Sequence, residues 1–330
     1  MRILLVGEYR CNMGPANVNK KIIEHMQGDF LYIKFQWPRG LNRILSLIEL
    51  IIKLFFSQVI IVSVTSRIGY IAGKLCKCFH KTLVLIMHGC IDYESEINGN
   101  KKNNNGKKWE KYLMEQATII LPVSKKYGEW LKDRYPTHKK QIKEWTLGYD
   151  GTYCKKNYKK NRGLILAAGG NTPQKNNNQV SDAVALMDEV AKLEIYGPIN
   201  SNWPQKINNN TFWVGQTPND LFLEKLSCAE IFIVNSTLES FSISLMEALS
   251  CGCNILVSSN VGALDLLKVE STDIINDVND TNEIKMKIQN LMEHPNHDRI
   301  CENIDWDAIS WNKSIGRLRE ICEELYKSSF

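Results

Sequence analysis

Almost throughout its length the chain alternates short, uninterrupted apolar runs with longer segments in which apolar residues recur every three or four positions. Ile3-Leu4-Leu5-Val6, Val59-Ile60-Ile61-Val62, Leu164-Ile165-Leu166-Ala167-Ala168 and Ile231-Phe232-Ile233-Val234 are the clearest runs. A run apolar at successive positions has no wet face. Both of its faces must be covered, as in a strand of a parallel sheet lying between helices. Strands are expected near 2–7, 30–35, 59–64, 82–87 and 118–123, then over 164–168, 193–196, 211–214, 230–234 and 254–257. Helices are expected near 16–27, 41–57, 67–79, 107–116, 125–134, 178–189, 219–226 and 242–250, with a further helix opening around Trp311. Such alternation builds doubly wound α/β sheets. At 330 residues, two domains are expected.

The boundary is marked by polarity and by charge. Residues 151–163 form a lysine-rich polar stretch, read as a linker between a first domain over 1–150 and a second over 164–308. Residues 1–160 carry 28 Lys and Arg against 13 Asp and Glu, a net +15, whereas 161–330 carry 13 against 23, a net −10. A split this sharp points to two units with different partners. The basic half, with Lys101, Lys102, Lys107, Lys108 and Lys111 around one polar loop, suits an anionic membrane surface or an anionic substrate. No RNA-binding motif or interleaved aromatic pattern accompanies it, so nucleic acid is not expected as a partner.

Only the stretch from Ile44 to Val64 resembles a membrane span. Asn42, Arg43, Ser46, Glu49, Lys53 and Ser57 form one polar stripe on a helix, and two charges mid-span would each cost about 2.5–3.5 kcal/mol. The reading is therefore a helix followed by a buried strand. The competing reading is a membrane-docking helix with Leu54, Phe55 and Phe56 in lipid. Met1-Arg2 leads directly into an apolar run too short for a secretory leader. The ten cysteines lack the paired two-residue spacing of a zinc site and read as reduced, small apolar residues. No metal site is expected, and the location expected is cytoplasmic.

The segment Asn235 to Gly252 is the richest in chemistry. It leaves a buried strand and opens a helix, so the backbone N–H groups of Phe241, Ser242 and Ile243 are expected to face outward as an anion site suited to a diphosphate. Glu239 stands before the helix and Glu247 within it, and a carboxylate accepts two vicinal hydroxyls at once. Spacing alone favours a solvated Glu239 and a structural Glu247. Taken singly, His88 reads as structural, Lys175 as a surface lysine and Gly14 as a turn glycine.

In context these residues resemble family-four retaining glycosyltransferases. The match consists of a strand, then Glu239-Ser240-Phe241-Ser242-Ile243, then Glu247-Ala248-Leu249, Gly252 and Asn254-Ile255-Leu256-Val257-Ser258. Gly169-Gly170-Asn171 through Lys175 resembles the family's phosphate-binding segment, Met87-His88-Gly89 its N-terminal histidine, and Ser310-Trp311 the start of its returning helix. The resemblance implies a GT-B fold, two Rossmann-like doubly wound domains with an interdomain cleft, and a helix over 309–330 packing back toward the first domain. It implies a UDP- or GDP-linked nucleotide-sugar as donor substrate, with no cofactor and no divalent metal.

The resemblance casts Glu239, His88 and Lys175 as catalytic residues. It places Gly14, Gly170, Asn171, Lys175, Ser240, Phe241, Ser242, Ile243 and Glu247 at the nucleotide-sugar. The acceptor implied is a glycan or lipid-linked saccharide of cell-surface polysaccharide synthesis, which suits a protein peripheral on the inner membrane face. The sequence departs from the family at Asn171, where arginine is usual, and at Ser242, where glycine is usual and serine is expected to serve as a helix cap. The first loop is thinned to Met13-Gly14-Pro15. These departures also admit a catalytically weak GT-B-like binding or partner subunit. A nicotinamide enzyme is disfavoured, because no Gly-x-Gly-x-x-Gly follows the first strand.

Overall fold

Every apolar run expected to be a strand lies in one of two all-parallel sheets. The structure is a computed structural model that describes residues 1–11, 14–34, 41–99, 104–151, 159–187, 191–206 and 208–328. It divides into two units, one of Met1–Gly148 with Asp307–Phe330, the other Tyr149–Trp306. Residues 152–158 of the expected linker, together with Met13, Lys101 and Lys102, lie outside the described residues.

The first unit runs β1 (Ile3–Val6), α1 (Gly14–His25), β2 (Phe30–Tyr32), α2 (Leu41–Phe56), β3 (Val59–Ser63), α3 (Arg67–Cys78), β4 (Thr82–Met87), α4 (Ile91–Ile97), α5 (Asn104–Gln116), β5 (Ile119–Pro122) and α6 (Lys125–Arg134). Its sheet has the order β2-β1-β3-β4-β5. Ile3 pairs with Phe30 on one side and with Val59 on the other, so the strand order reverses at β1. All residues of β1, β3 and β5 are buried, as their unbroken apolar runs require. Helices α3 and α6 begin where a serine caps them: Ser66 Oγ accepts from the Gly69 amide and Ser124 Oγ from the Tyr127 amide, both at 3.1 Å. Helix α4, which the sequence reading did not anticipate, has its first amides bound by a buried carboxylate instead. Glu110 accepts from the amides of Ile91 at 2.8 Å and Asp92 at 3.2 Å.

The stretch from Ile44 to Val64 is a helix followed by a strand, α2 and β3. No described helix is long and apolar enough to cross a membrane.

The second unit runs β6 (Asn161–Ala168), α7 (Asn177–Ala185), β7 (Lys192–Tyr196), β8 (Thr211–Gly215), α8 (Asn219–Cys228), β9 (Ala229–Val234), α9 (Ile243–Ser250), β10 (Asn254–Ser258), β11 (Ile274–Ile275), α10 (Thr281–Glu293) and α11 (His297–Cys301). The sheet order is β11-β10-β9-β6-β7-β8, all parallel. Strand residues Ile165, Ala167, Ile195, Ile231, Ile233 and Leu256 pack against Val180, Val184, Ile284, Ile288 and Leu291 of α7 and α10. The strand order reverses between β6 and β9, and ligands of open α/β sheets bind at the strand C-terminal ends where this happens.

The chain then returns to the first unit through α12 (Trp311–Lys327), capped by Ser310. Trp145 Nε1 donates to the Ser314 carbonyl at 3.0 Å and Ser314 Oγ to the Thr146 carbonyl at 2.6 Å. Arg319 donates to the Gln27 carbonyl at the end of α1. Trp311, Ile315, Leu318, Ile321 and Cys322 are buried.

Candidate functional site

The topological switch of the second unit is where two loops are stitched together. After β6 the backbone turns through Gly169 (φ 97°) and Gly170 (φ 59°), both in the left-handed region. A Cβ on Gly170 would lie 1.8 Å from the Pro198 carbonyl oxygen, so no other residue fits. The chain continues through a 3-10 turn over Pro173–Lys175 and a left-handed Asn176 into α7. The loop leaving β9 is bound to this turn at several points. The Thr237 amide donates to the Gln174 carbonyl at 2.9 Å, and Gln174 Nε2 donates to the Leu238 carbonyl at 2.6 Å. Asn176 Nδ2 donates to Thr237 Oγ1 at 2.8 Å and to the Asn235 carbonyl at 3.1 Å.

That stitching brings Lys175 and Glu239 together. The Lys175 ammonium donates to the Glu239 carboxylate, with side-chain exposures of 25% and 16%. The Lys175 stem lies over Gly169, where any side chain would collide with it. Glu239 is fixed from the other side by a short parallel bridge to Val261: its amide donates to the Asn260 carbonyl at 3.0 Å, and its carbonyl accepts from the Gly262 amide at 2.9 Å. A cation and a carboxylate thus share one partly open position at the C-terminal ends of β6 and β9.

Beside them, α9 begins at Ile243. The amides of Phe241, Ser242 and Ile243 donate to no acceptor among the described residues. Phe241 is buried, and its carbonyl accepts from the Ala263 amide at 2.8 Å, which anchors the helix mouth. Free amides at a helix N-terminus favour an anion. Ser240, partly exposed, links Glu239 to Phe241. Glu247 lies one turn into α9. Burial pushes its carboxyl above the usual carboxylate range, opposed by a hydrogen bond with the Asn219 side chain.

Two expectations need correction. Ser242 does not cap α9 with its side chain. It sits at φ 84°, ψ 77°, so the position requires left-handed backbone rather than a hydroxyl, which is why glycine suits it. Asn171 is not available to a ligand. It is buried, Nδ2 donates to the carbonyls of Asn200 at 2.8 Å and Trp203 at 3.0 Å, and Oδ1 accepts from the Asn200 amide at 2.9 Å. The Gly170 amide donates to the Tyr196 carbonyl at 2.8 Å, which holds the turn in place. The sequence reading missed the roles of Gln174, Asn176 and Thr237. The one usable signal was asparagine, which tolerates left-handed backbone, at the entry to α7.

His88 and Gly14 belong to the first unit. His88 follows β4, and its Nε2 is 2.9 Å from Ser63 Oγ at the end of β3. Burial pushes its pKa down to about 4, so the imidazole is neutral at neutral pH. Gly14 opens α1, and a Cβ there would meet nothing within 4 Å, so nothing in the unit requires glycine. Among the described residues no group of three or more His, Cys, Asp or Glu is placed to hold a metal ion. The one Asp-x-Asp triplet in the sequence, Asp305-Trp306-Asp307, straddles the unit boundary with both carboxylates exposed.

Comparison with known proteins gives a consistent picture. Residues 154–304 match the family model described as glycosyl transferases group 1. No curated protein matches the sequence. Among solved structures, the chain is similar to sucrose-phosphate synthase from Thermosynechococcus elongatus, with 13% identity, a TM-score of 0.73 and coverage of 99% of this chain and 100% of that one. It is similar to Anabaena HepE in complex with UDP-glucose, at 12% identity and a TM-score of 0.73, covering 98% and 100%. It is similar to the lipopolysaccharide outer core galactosyltransferase WaaB, at 14% identity and a TM-score of 0.64, covering 98% and 99%. At these identities the likeness concerns the fold, which is GT-B with two Rossmann-like domains.

Proposed function

We propose that the chain, whose residues 154–304 match the family model described as glycosyl transferases group 1, is a glycosyltransferase that transfers a sugar with retention from a nucleotide-diphospho-sugar to a glycan or lipid-linked saccharide. The observation that carries this reading is the Lys175–Glu239 pair beside the free amides of residues 241–243, at the switch point of the second sheet.

In the transfer the bond from the sugar anomeric carbon to the diphosphate oxygen breaks. The acceptor hydroxyl oxygen bonds to the same carbon from the same face, and its proton passes to the departing diphosphate. No metal is required for that balance. Lys175 and the three amides stabilise the charge that grows on the diphosphate, the kind of fixed electrostatic contribution that usually dominates. Glu239 orients sugar hydroxyls and supports the oxocarbenium-like carbon, and Glu247 binds the ribose diol. His88, assigned to the sugar by the resemblance alone, acts as a neutral hydrogen-bonding group. Gly14 lets a ligand approach the backbone at the start of α1. The UDP-glucose bound by HepE supports a UDP-linked donor, and the lipopolysaccharide core named for WaaB supports a role in cell-surface polysaccharide synthesis.

A panel of UDP- and GDP-sugars in a thermal-shift assay identifies the donor. Transfer and donor hydrolysis are then compared for wild type and Glu239→Gln. A fall of about a hundredfold or more in kcat for Glu239→Gln, with donor binding retained, supports the reading. Asn171 favours the second reading, a binding or partner subunit, because its amide is committed to the 200–203 loop and Lys175 is left as the matched phosphate cation. Equal turnover in wild type and Glu239→Gln would select that second reading.

A further inference from the structure

Helix α2 is inverted with respect to water. Its charged residues turn inward: Glu49 accepts from the Lys34 amide at 2.8 Å, Lys53 donates to the Tyr32 carbonyl at 2.7 Å, and the two pair with each other. Ser46, Leu50 and Leu54 are buried on the core side. The water side is apolar, with Ile44, Ile48, Ile51, Ile52, Phe55 and Phe56 each 47–61% exposed. At the helical repeat, Ile44, Ile48, Ile51 and Phe55 fall within about 60° of one another, and Ile52 and Phe56 widen the band. Phe79, just past α3, extends it, with its ring 6.5 Å from that of Phe55.

These are all of the exposed large hydrophobic side chains among the described residues of the first unit. Three half-exposed phenylalanines alone present roughly 300 Å². With four isoleucines added, the band exceeds what monomers ordinarily expose without a partner.

The charge around the band identifies the occupant. From Leu41 to Ile91, with the inward pair Glu49–Lys53 set aside, the chain carries Arg43, Arg67, Lys74, Lys77 and Lys81 and no acidic residue. Lys74 and Lys77 are exposed on α3, which packs against α2. Lys81 Nζ donates to the Phe55 carbonyl at 3.1 Å, which fixes a cation at the aromatic end of the band. A second copy docked by the same face would bring basic rim against basic rim, because a two-fold contact is self-complementary. A surface that is apolar beneath and anionic at its rim matches both features.

We infer that the α2–Phe79 face docks on an anionic phospholipid bilayer. The helix lies in the plane of the interface. Its isoleucines and phenylalanines enter the headgroup boundary, and Lys74, Lys77 and Lys81 reach lipid phosphates. At 16 residues α2 is too short to span the hydrocarbon core. Docking needs neither donor nor acceptor, so this inference stands or falls apart from the transfer chemistry.

The test is flotation of the full chain with vesicles of phosphatidylcholine alone, or with one third phosphatidylglycerol, at low and high salt. The expected result is partition onto the phosphatidylglycerol vesicles, weakened by salt. Phe55→Ser with Phe56→Ser lowers that partition about tenfold or more. Lys77→Glu with Lys81→Glu lowers it by about fivefold per charge removed and flattens the salt dependence. Should the phenylalanine variant melt early, Ile48→Ser with Ile52→Ser reads the same face. Failure of the wild type to bind phosphatidylglycerol vesicles would overturn the inference, as would binding unaltered by the apolar variants. So would a sedimenting dimer, dissolved by those variants, in a protein that leaves vesicles alone.

Discussion

Replacing Ser242 by glycine should stabilise the second unit, although it removes a side chain at the mouth of the candidate site. Ser242 holds φ 84° and ψ 77°, a conformation that costs an L-residue roughly 1–2 kcal/mol and glycine almost nothing. Against that gain stands the extra freedom glycine has in the unfolded chain, roughly 0.5–1 kcal/mol. The hydroxyl contributes little: its one described contact, with Ser244 Oγ, is 3.4 Å, beyond the normal range for two hydroxyls. The balance is a stabilisation of about 0.5–1 kcal/mol. For a unit the size of Tyr149–Trp306 that raises Tm by about 1–4 °C. Differential scanning calorimetry of wild type, Ser242→Gly and Ser242→Ala reads it directly. Alanine keeps the unfavourable backbone, so its Tm should stay level or fall slightly. A fall for glycine equal to that for alanine would refute the argument, because it would show that the position depends on the hydroxyl.

Restoring the family's usual arginine with Asn171→Arg should not raise kcat. It breaks three hydrogen bonds to the 200–203 loop and lowers stability by about 2–4 kcal/mol, visible as a drop in Tm. Gly170→Ala places a Cβ against the Pro198 carbonyl at positive φ and should cost about 3 kcal/mol or more, checked by urea denaturation. His88 titrates near 4 when folded and near 6.5 when unfolded, so its contribution to stability is full above pH 6.5 and is lost as pH falls toward 4. Denaturation curves of wild type and His88→Gln across that window should converge on the acid side, and a constant gap between them would contradict the burial argument.

The strands were legible because each carries an unbroken apolar run, and a buried parallel strand leaves no other pattern. The helices expected near 67–79 and 125–134 were legible from their apolar spacing, and the serines that prove to cap them, Ser66 and Ser124, act within three residues of themselves. Helix α4 was not, because the carboxylate at its start, Glu110, comes from a helix some twenty residues on. The same division runs through the candidate site. The mouth of α9 was expected from the strand and helix that flank it, whereas Glu239 and Lys175 were singled out by the resemblance, whose motifs are contiguous along the chain. The roles of Asn171 and Gln174 could not, since what they bind is fixed by contacts with residues about thirty and more than sixty positions away. Ser242 was misread because a serine before a helix has two uses, and only the backbone angles tell them apart. The inward polar stripe of α2 has a similar cause: periodicity reports that a helix has two faces but not which one meets the core.

Helix α12 has a consequence for how the protein is made. It supplies Trp311, Ile315, Leu318 and Ile321 to the interior of a unit whose other elements end at Gly148. On the ribosome that unit must wait, with part of its interior uncovered, while the whole of Tyr149–Trp306 is translated. That stage, with part of the interior uncovered, is when a chaperone would have most to hold.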